Sequence, residues 1–160
     1  MDLIVWLENT AFADVIRVSA YGYPAMITLH SLGLAVMLGL SVVLSLRIIG
    51  FFRIIPLLSL HRLLWIAWAG FIVNFLSGMA LFSISATTLI RDPVFGLKML
   101  MVVIGAGLVA IMQRTIRTEV DSGGVIASQP LTTLKILAWL SIVAWTIGMI
   151  AGRLIAYLPP

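Results

Sequence analysis

The sequence predicts an all-α membrane protein, a transmembrane four-helix bundle preceded by an N-terminal amphipathic helix at the interface. Three observations carry that prediction. Hydrophobic residues make up 62% of the 160 and charged residues only 10%, more apolar surface than the interior of a soluble domain of this size can hide. Four apolar runs reach the roughly 20 residues that a bilayer demands of a spanning helix. The basic residues stand singly at the ends of those runs, so the net charge of +4 and the pI near 10.1 mark topology in a lipid bilayer and not a nucleic-acid surface.

Residues 1–22 form the interfacial unit and 23–158 the transmembrane domain. The opening "MDLIVWLENTAFADVIRVSAYGYP" has acidic residues where a secretory signal has basic ones and lacks a long apolar core or cleavage site, so it is expected to stay attached. Ile4, Leu7, Ala11, Phe12, Val15 and Ile16 fall near one helical face, interrupted by Glu8, with Asn9 or Thr10 as a cap. A helix lying on the outer surface is expected. Pro24 opens the first span, about 24–46, where proline is tolerated. "IIGFFRIIPLLSLHR" is broken by Gly50, Arg53 and Pro56; too short to cross, it is expected along the inner interface. The second span, 63–90, is long enough to tilt or to end in a turn at "SISATT". The third covers about 94–113. The fourth covers about 131–157, and its Lys135 and Arg153 can snorkel to opposite surfaces. "RTEVDSGGVIASQP", between the third and fourth, reads as a mobile polar loop.

Arginine and lysine set the orientation. Arg47, Arg53, Arg62, Arg114, Arg117 and Lys135 fall on one side, and Arg17, Arg91, Lys98 and Arg153 on the other. This bias predicts both termini outside, which in a bacterial inner membrane is the periplasmic side. Trp65, Trp68 and Trp139 would mark the inner interface and Tyr21, Tyr23 and Tyr157 the outer one.

Cysteine is absent, which removes disulfides, thiolate metal sites, iron–sulfur clusters and the thioether attachment of c-type haem. No Asp or Glu lies inside a span: Asp2, Glu8, Asp14 and Asp92 are outside, and Glu119 and Asp121 fall in the inner loop. Proton-coupled carriers usually place a carboxylate at depth, and no internal repeat suggests an inverted-repeat transporter.

His30 is therefore the most informative residue. It lies about 9 Å along the helix from Pro24, with Met26, Gly33 and Met37 on its face. An imidazole there has to be uncharged and hydrogen-bonded, contact a substrate, or bind a metal. Neutral imidazole is a good axial ligand for haem iron, and a glycine one turn away lets a flat macrocycle approach the backbone. Lys98 sits about 7 Å along from Pro93. The first and third spans run in the same direction, which places Lys98 and His30 at similar depth. Lys98 could pair with a haem propionate, serve as a second axial ligand, or snorkel to the headgroups. His61 is about 24 Å away along the axis, so it reads as a loop histidine and not as a second haem ligand.

The small residues suggest packing. Ser31, Ala35 and Gly39 recur every fourth position in the first span, as do Gly70, Asn74 and Gly78 in the second, where Asn74 could add an interhelical hydrogen bond. The 8 methionines are scattered and read as filler.

"YPAMITLHSLGLAVMLGLSVVLSLRIIG" resembles the first-helix pattern of an uncharacterised family of small bacterial four-helix membrane proteins, in which Tyr-Pro precedes Leu-His, a spaced Gly and a Leu-Arg-x-x-Gly exit. The resemblance extends through "WAGFIVNFLSGMALF" and "DPVFGLKMLMVV", from Tyr23 to about Gln113. More distantly, a first-helix His with a Lys opening the third helix is similar to copper-resistance-D-like membrane proteins and to the membrane protoporphyrinogen oxidase that binds haem b. The resemblance implies His30 as haem ligand and Lys98 as a second functional residue. Relatives often carry an Asp before the exit Arg and a His near the end of the third helix; Ser45 or Leu46 and Gln113 stand here.

Three functions follow as expectations. The first is a haem-b-binding subunit for electron transfer or porphyrin handling, in which His30 ligates iron, Gly33 admits the macrocycle, and Lys98 or Arg91 balances the propionates; copper at His30 is the variant of it. The second is a cofactor-free accessory subunit of a membrane complex, or a homo-oligomer. The third is a small-solute channel or carrier.

Overall fold

Every element of the computed structural model, which describes residues 2–121, 132–155 and Tyr157, is a helix. The order is α1 (Asp2–Glu8), α2 (Ala11–Val18), α3 (Gly22–Ile49), α4 (Leu57–Ser83), α5 (Ala86–Leu89), α6 (Pro93–Asp121) and α7 (Thr132–Leu154). Four of these, α3, α4, α6 and α7, are long and apolar enough to cross a bilayer. They alternate in direction, so the start of α3 and the end of α7 share one face, here the terminal face. The opposite face, carrying Arg47 and Arg114, is the basic face.

The apolar segment between the first two spans divides between them. Ile48 and Ile49 finish α3, and Leu57 opens α4 directly after Pro56. The missing proline N–H costs nothing at a helix start, and Leu57, Leu60, Leu64 and Ala67 then recur at three- and four-residue steps and are all buried. That inward stripe draws into the bundle a segment expected to lie along the interface. Only residues 50–56 connect the two helices. Gly50, at φ 125°, ends α3 in a conformation that favours glycine, with the N–H groups of Gly50 and Phe51 donating to the Leu46 carbonyl. Arg47 Nε reaches across to the Ile55 carbonyl at 2.6 Å.

The second span ends in the turn that "SISATT" allows: α4 stops at Ser83 and α5 follows as a single turn. α6 begins at Pro93, where the Asp92 carboxylate accepts from Val94 N–H at 2.8 Å, and continues past the expected Gln113 to Asp121. Residues 117–121 of the expected polar loop thus extend this helix, while 122–131 lie outside the described residues. So does the side chain of His61, which sits in the first turns of α4.

α3 packs along α4, α6 along α7 and α3 against α7, whereas α4 and α6 barely meet. The hydrophobic core fills the half of the bundle near the basic face, where Leu44, Ile48, Leu60, Leu64, Met112 and Ile116 are buried together. Ile72, Leu76, Val103, Leu140 and Ile150 face outward, the surface of a protein solvated by lipid. The stripe of small residues expected to pack on α3 also faces outward: Ser31 and Ala35 are exposed, and nothing approaches Gly39. Gly33, Met37, Ser41 and Ser45 form the inward face instead.

The N-terminal unit is two short helices rather than one. Thr10 caps α2, its hydroxyl accepting from Ala13 N–H at 3.3 Å, and Ala13 and Ile16 are buried as α2 turns tightly into α3 at Gly22. Glu8, which breaks the apolar stripe, is a latch. Its carboxylate accepts from Thr87 N–H at 3.0 Å and Thr87 Oγ1 at 2.7 Å, tying α1 to the first turn of α5. Arg17 pairs with Asp14 at 3.1 Å and donates to the Glu8 and Ile84 carbonyls. The two Thr87 hydrogen bonds hold the Glu8 carboxyl below the usual carboxylate range. A lowered pKa means that the latch is fully present above the ordinary glutamate value and is lost as pH falls through the lowered one. A nitroxide on Leu3→Cys, the only thiol in a chain without cysteine, should therefore gain mobility on acidification below the ordinary glutamate range. In Glu8→Ala it should be mobile at every pH.

Candidate functional site

The site begins with a close crossing of two helices. A Cβ placed on Gly33 would fall 2.6 Å from both the Asn74 amide nitrogen and the Gly70 carbonyl, and one on Gly70 would fall 2.9 Å from Val36. Backbone meets backbone there, as small residues allow in lipid. Gly33 is thus occupied by α4 and does not open onto a space for a macrocycle, contrary to the expectation from its position one turn after His30.

The crossing carries His30 to α4. Its Nδ1 lies 2.9 Å from the backbone carbonyl of Asn74, a group that can only accept, so the Nδ1 proton is fixed there. The Asn74 amide is 3.3 Å from the same nitrogen but donates at 2.7 Å to the His30 carbonyl, the shorter and therefore governing bond. Ser77, 3.4 Å from Nδ1, donates to Val73 at 2.6 Å. Interhelical hydrogen bonds of this type contribute about 0.6–1.7 kcal/mol each in membranes. The imidazole face rests on Gly78, where a Cβ would stand 3.0 Å from Cε1 and 3.2 Å from Nδ1.

With Nδ1 protonated, the lone pair belongs to Nε2. Among the described residues no hydrogen bond reaches that nitrogen, and it is not one of the buried, unpartnered atoms. It belongs to a side chain lining a cavity of about 270 Å³ between α4 and α6. Phe71, Phe75, Met79 and Phe82 line the cavity from α4, and Phe95, Lys98, Met99 and Val102 from α6. The seam is bridged at both ends. Phe82 stacks on Phe95 with centroids 5.5 Å apart near the terminal face, and Trp68 Nε1 donates to Gln113 Oε1 at 2.8 Å near the basic face. Between those bridges the cleft opens sideways.

His30 and Lys98 therefore meet at one level of the bundle, as the parallel course of their helices requires. The Lys98 stem runs beside Gly152 of α7, its Nζ 3.8 Å from where a Cβ would be. Among the described residues no carboxylate pairs with it. Arg91, in the exposed turn between α5 and α6, does not line the cleft. Met37, on the same face as His30, is buried in the core and lies away from the cleft.

The aromatic lining is not among the site residues expected from the sequence. Its signal is a stripe on α4, with Phe71, Phe75, Gly78 and Phe82 at steps of four, three and four, answered on α6 by Phe95, Lys98 and Val102. Asn74, inside the first stripe, is the polar residue that marks this face as inward.

Among the described residues no three His, Cys, Asp or Glu side chains gather as a metal site. A bare divalent ion would have one imidazole and no carboxylate. A porphyrin brings four nitrogens of its own and requires a single axial side chain, so the donor set fits haem. At about 270 Å³ the cavity falls just below the usual range of ligand-pocket volumes, about 300–1,000 Å³, so a macrocycle would extend through its open side into lipid. No family model, curated protein or solved structure matches this chain.

Proposed function

We propose that this protein binds haem b within the membrane and serves as an electron-transfer or porphyrin-handling subunit. One observation carries the reading: an imidazole whose Nδ1–H is committed to a backbone carbonyl of a neighbouring helix, leaving Nε2 as a free donor at an aromatic-lined cleft. This is the second-shell arrangement that fixes ring orientation and raises ligand basicity in metal-binding histidines. Haem bound there would supply a one-electron iron couple. The chain's own residues do the rest. Asn74 and Gly78 hold the ring in place, Lys98 brings a cation to the level of the propionates, and the phenylalanines keep water from the ligand. The excess of basic residues on one face orients the termini to the periplasmic side of a bacterial inner membrane.

Met79 and Met99 line the same cleft, and soft thioethers beside one imidazole would suit cuprous copper. Optical and metal analysis of the purified protein separates the readings. Haem predicts stoichiometric iron, a Soret band and a reduced-state α-band, all lost in His30→Ala. Copper predicts a colourless protein with stoichiometric copper that depends on His30. A colourless, metal-free protein that co-purifies with membrane partners would overturn both and leave the accessory-subunit reading.

A further inference from the structure

The N-terminal unit is bonded to the stretch of chain that sets the distance between α4 and α6 at the terminal face. Residues 84–92, with α5 in their middle, join those two helices. The Glu8 carboxylate accepts from Thr87 N–H at 3.0 Å and Thr87 Oγ1 at 2.7 Å, and Arg17 donates to the Ile84 carbonyl at 3.2 Å. Each of these bonds has a charged partner, the stronger kind. Arg17 also donates to the Glu8 carbonyl at 3.1 Å, which ties the end of α1 to α2. α2 in turn is seated on α3 and α4 with Ala13 and Ile16 buried. The unit is thus anchored on the bundle and grips the connection.

Under that connection lies the His30 cleft. Phe82 and Phe95 flank the connection in sequence, and their rings stack at 5.5 Å across the terminal end of the cleft that both of them line. Farther along, α4 and α6 barely meet as far as the Trp68–Gln113 bond. Helix packing therefore does little to hold the ring pair together, and the geometry of residues 84–92 decides whether it stays closed.

We propose that α1 and α2 form a strap that keeps the terminal mouth of the His30 cleft shut, the Glu8–Thr87 bonds holding residues 84–92 so that Phe82 and Phe95 stay stacked. Latched, the cleft opens onto lipid through its side. Unlatched, the connection lifts, the rings part, and the cleft that holds His30 and Lys98 gains a mouth to water at the terminal face. The strap is a device of the fold and operates whether or not the cleft binds haem.

Because the chain has no cysteine, Val102→Cys places a single thiol in the cleft, one helical turn beyond Lys98. The full chain is held in lipid nanodiscs, where the open side of the cleft faces acyl chains, and treated with sulfonatoethyl methanethiosulfonate, a charged, water-soluble thiol reagent. With the latch intact the thiol should react slowly. Adding Glu8→Ala should speed the reaction at least about tenfold, because an opening opposed by hydrogen bonds to a charged group becomes that much more frequent without them. Phe95→Ala should speed it as much with Glu8 in place. A thiol at Val103→Cys, on the exposed side of α6, should react at the same rate with and without Glu8→Ala. Fast reaction of the Val102→Cys thiol with the latch intact overturns the proposal, as does a rate that Glu8→Ala leaves unchanged or an equal acceleration at Val103→Cys. If Glu8→Ala fails to fold, Thr87→Val, which removes the hydroxyl bond alone, makes the same comparison: acceleration supports the strap, and an unchanged rate contradicts it.

Discussion

Gly33→Ala should loosen the whole bundle. The added methyl would sit 2.6 Å from two backbone atoms of α4, and backbone cannot swing aside as a side chain can. The two helices must separate by the better part of an ångström along their closest crossing, which breaks the His30–Asn74 bonds as well as the packing. Overpacking of this kind costs on the order of 3 kcal/mol, a fall of about 10 °C in the thermal midpoint for a chain of this length, read by circular dichroism in detergent. Gly39→Ala, on the same helix with nothing near it, should leave the midpoint unchanged.

Gly78→Leu should do the reverse, leaving the fold intact while removing the site. What a Cβ meets at Gly78 is the His30 ring, the end of a side chain free to rotate, and beyond it the open cleft accepts the rest of the leucine. The bundle should stay folded, its stability lowered only by the roughly 0.6–1.7 kcal/mol of the displaced hydrogen bond. The imidazole, however, is pushed off the Asn74 carbonyl and its Nε2 swings away from the cleft. Haem affinity measured by titration of the purified protein should fall at least about tenfold, since losing one oriented ligand bond is worth 1.4 kcal/mol or more. Together the pair separates helix packing from ligand placement, two roles served by glycines on facing helices.

The contrast also shows how far the sequence could be read. Apolar length locates the spans because a bilayer sets it, and the four helices lie where four runs predict them. Which side of each helix faces inward is harder, because in lipid both sides are apolar. Counting every fourth small residue on α3 selects Ser31, Ala35 and Gly39, which face outward. On α4 the same count succeeds because Asn74 sits in the stripe and its amide seeks a partner. Polar residues at depth are therefore the better guide, and His30, Ser41 and Ser45 all mark the inward side of α3. The segment after Arg47 was harder for another reason. Gly50 and Arg53 do break the chain there, but Pro56 starts a helix as readily as it ends one. The meeting of His30 and Lys98 was legible because it follows from helix direction alone. The phenylalanines around them look, one at a time, like any lipid-facing side chain, and only α6 standing off from α4 makes them a lining. Glu8 interrupts the amphipathic stripe because its partner Thr87 lies 79 residues away, a pairing no local pattern encodes.

Axial ligation by His30 is the claim on which the functional reading rests, and a ligand-replacement spectrum tests it most directly. His30→Gly leaves room for free imidazole where the ring was. The reduced-minus-oxidised absorption spectrum of the purified variant should lack the Soret and α-band changes of the wild type and regain them when imidazole is added. A variant whose spectrum matches the wild type without imidazole would contradict the account, as would a wild-type protein that has no such bands after exposure to haem.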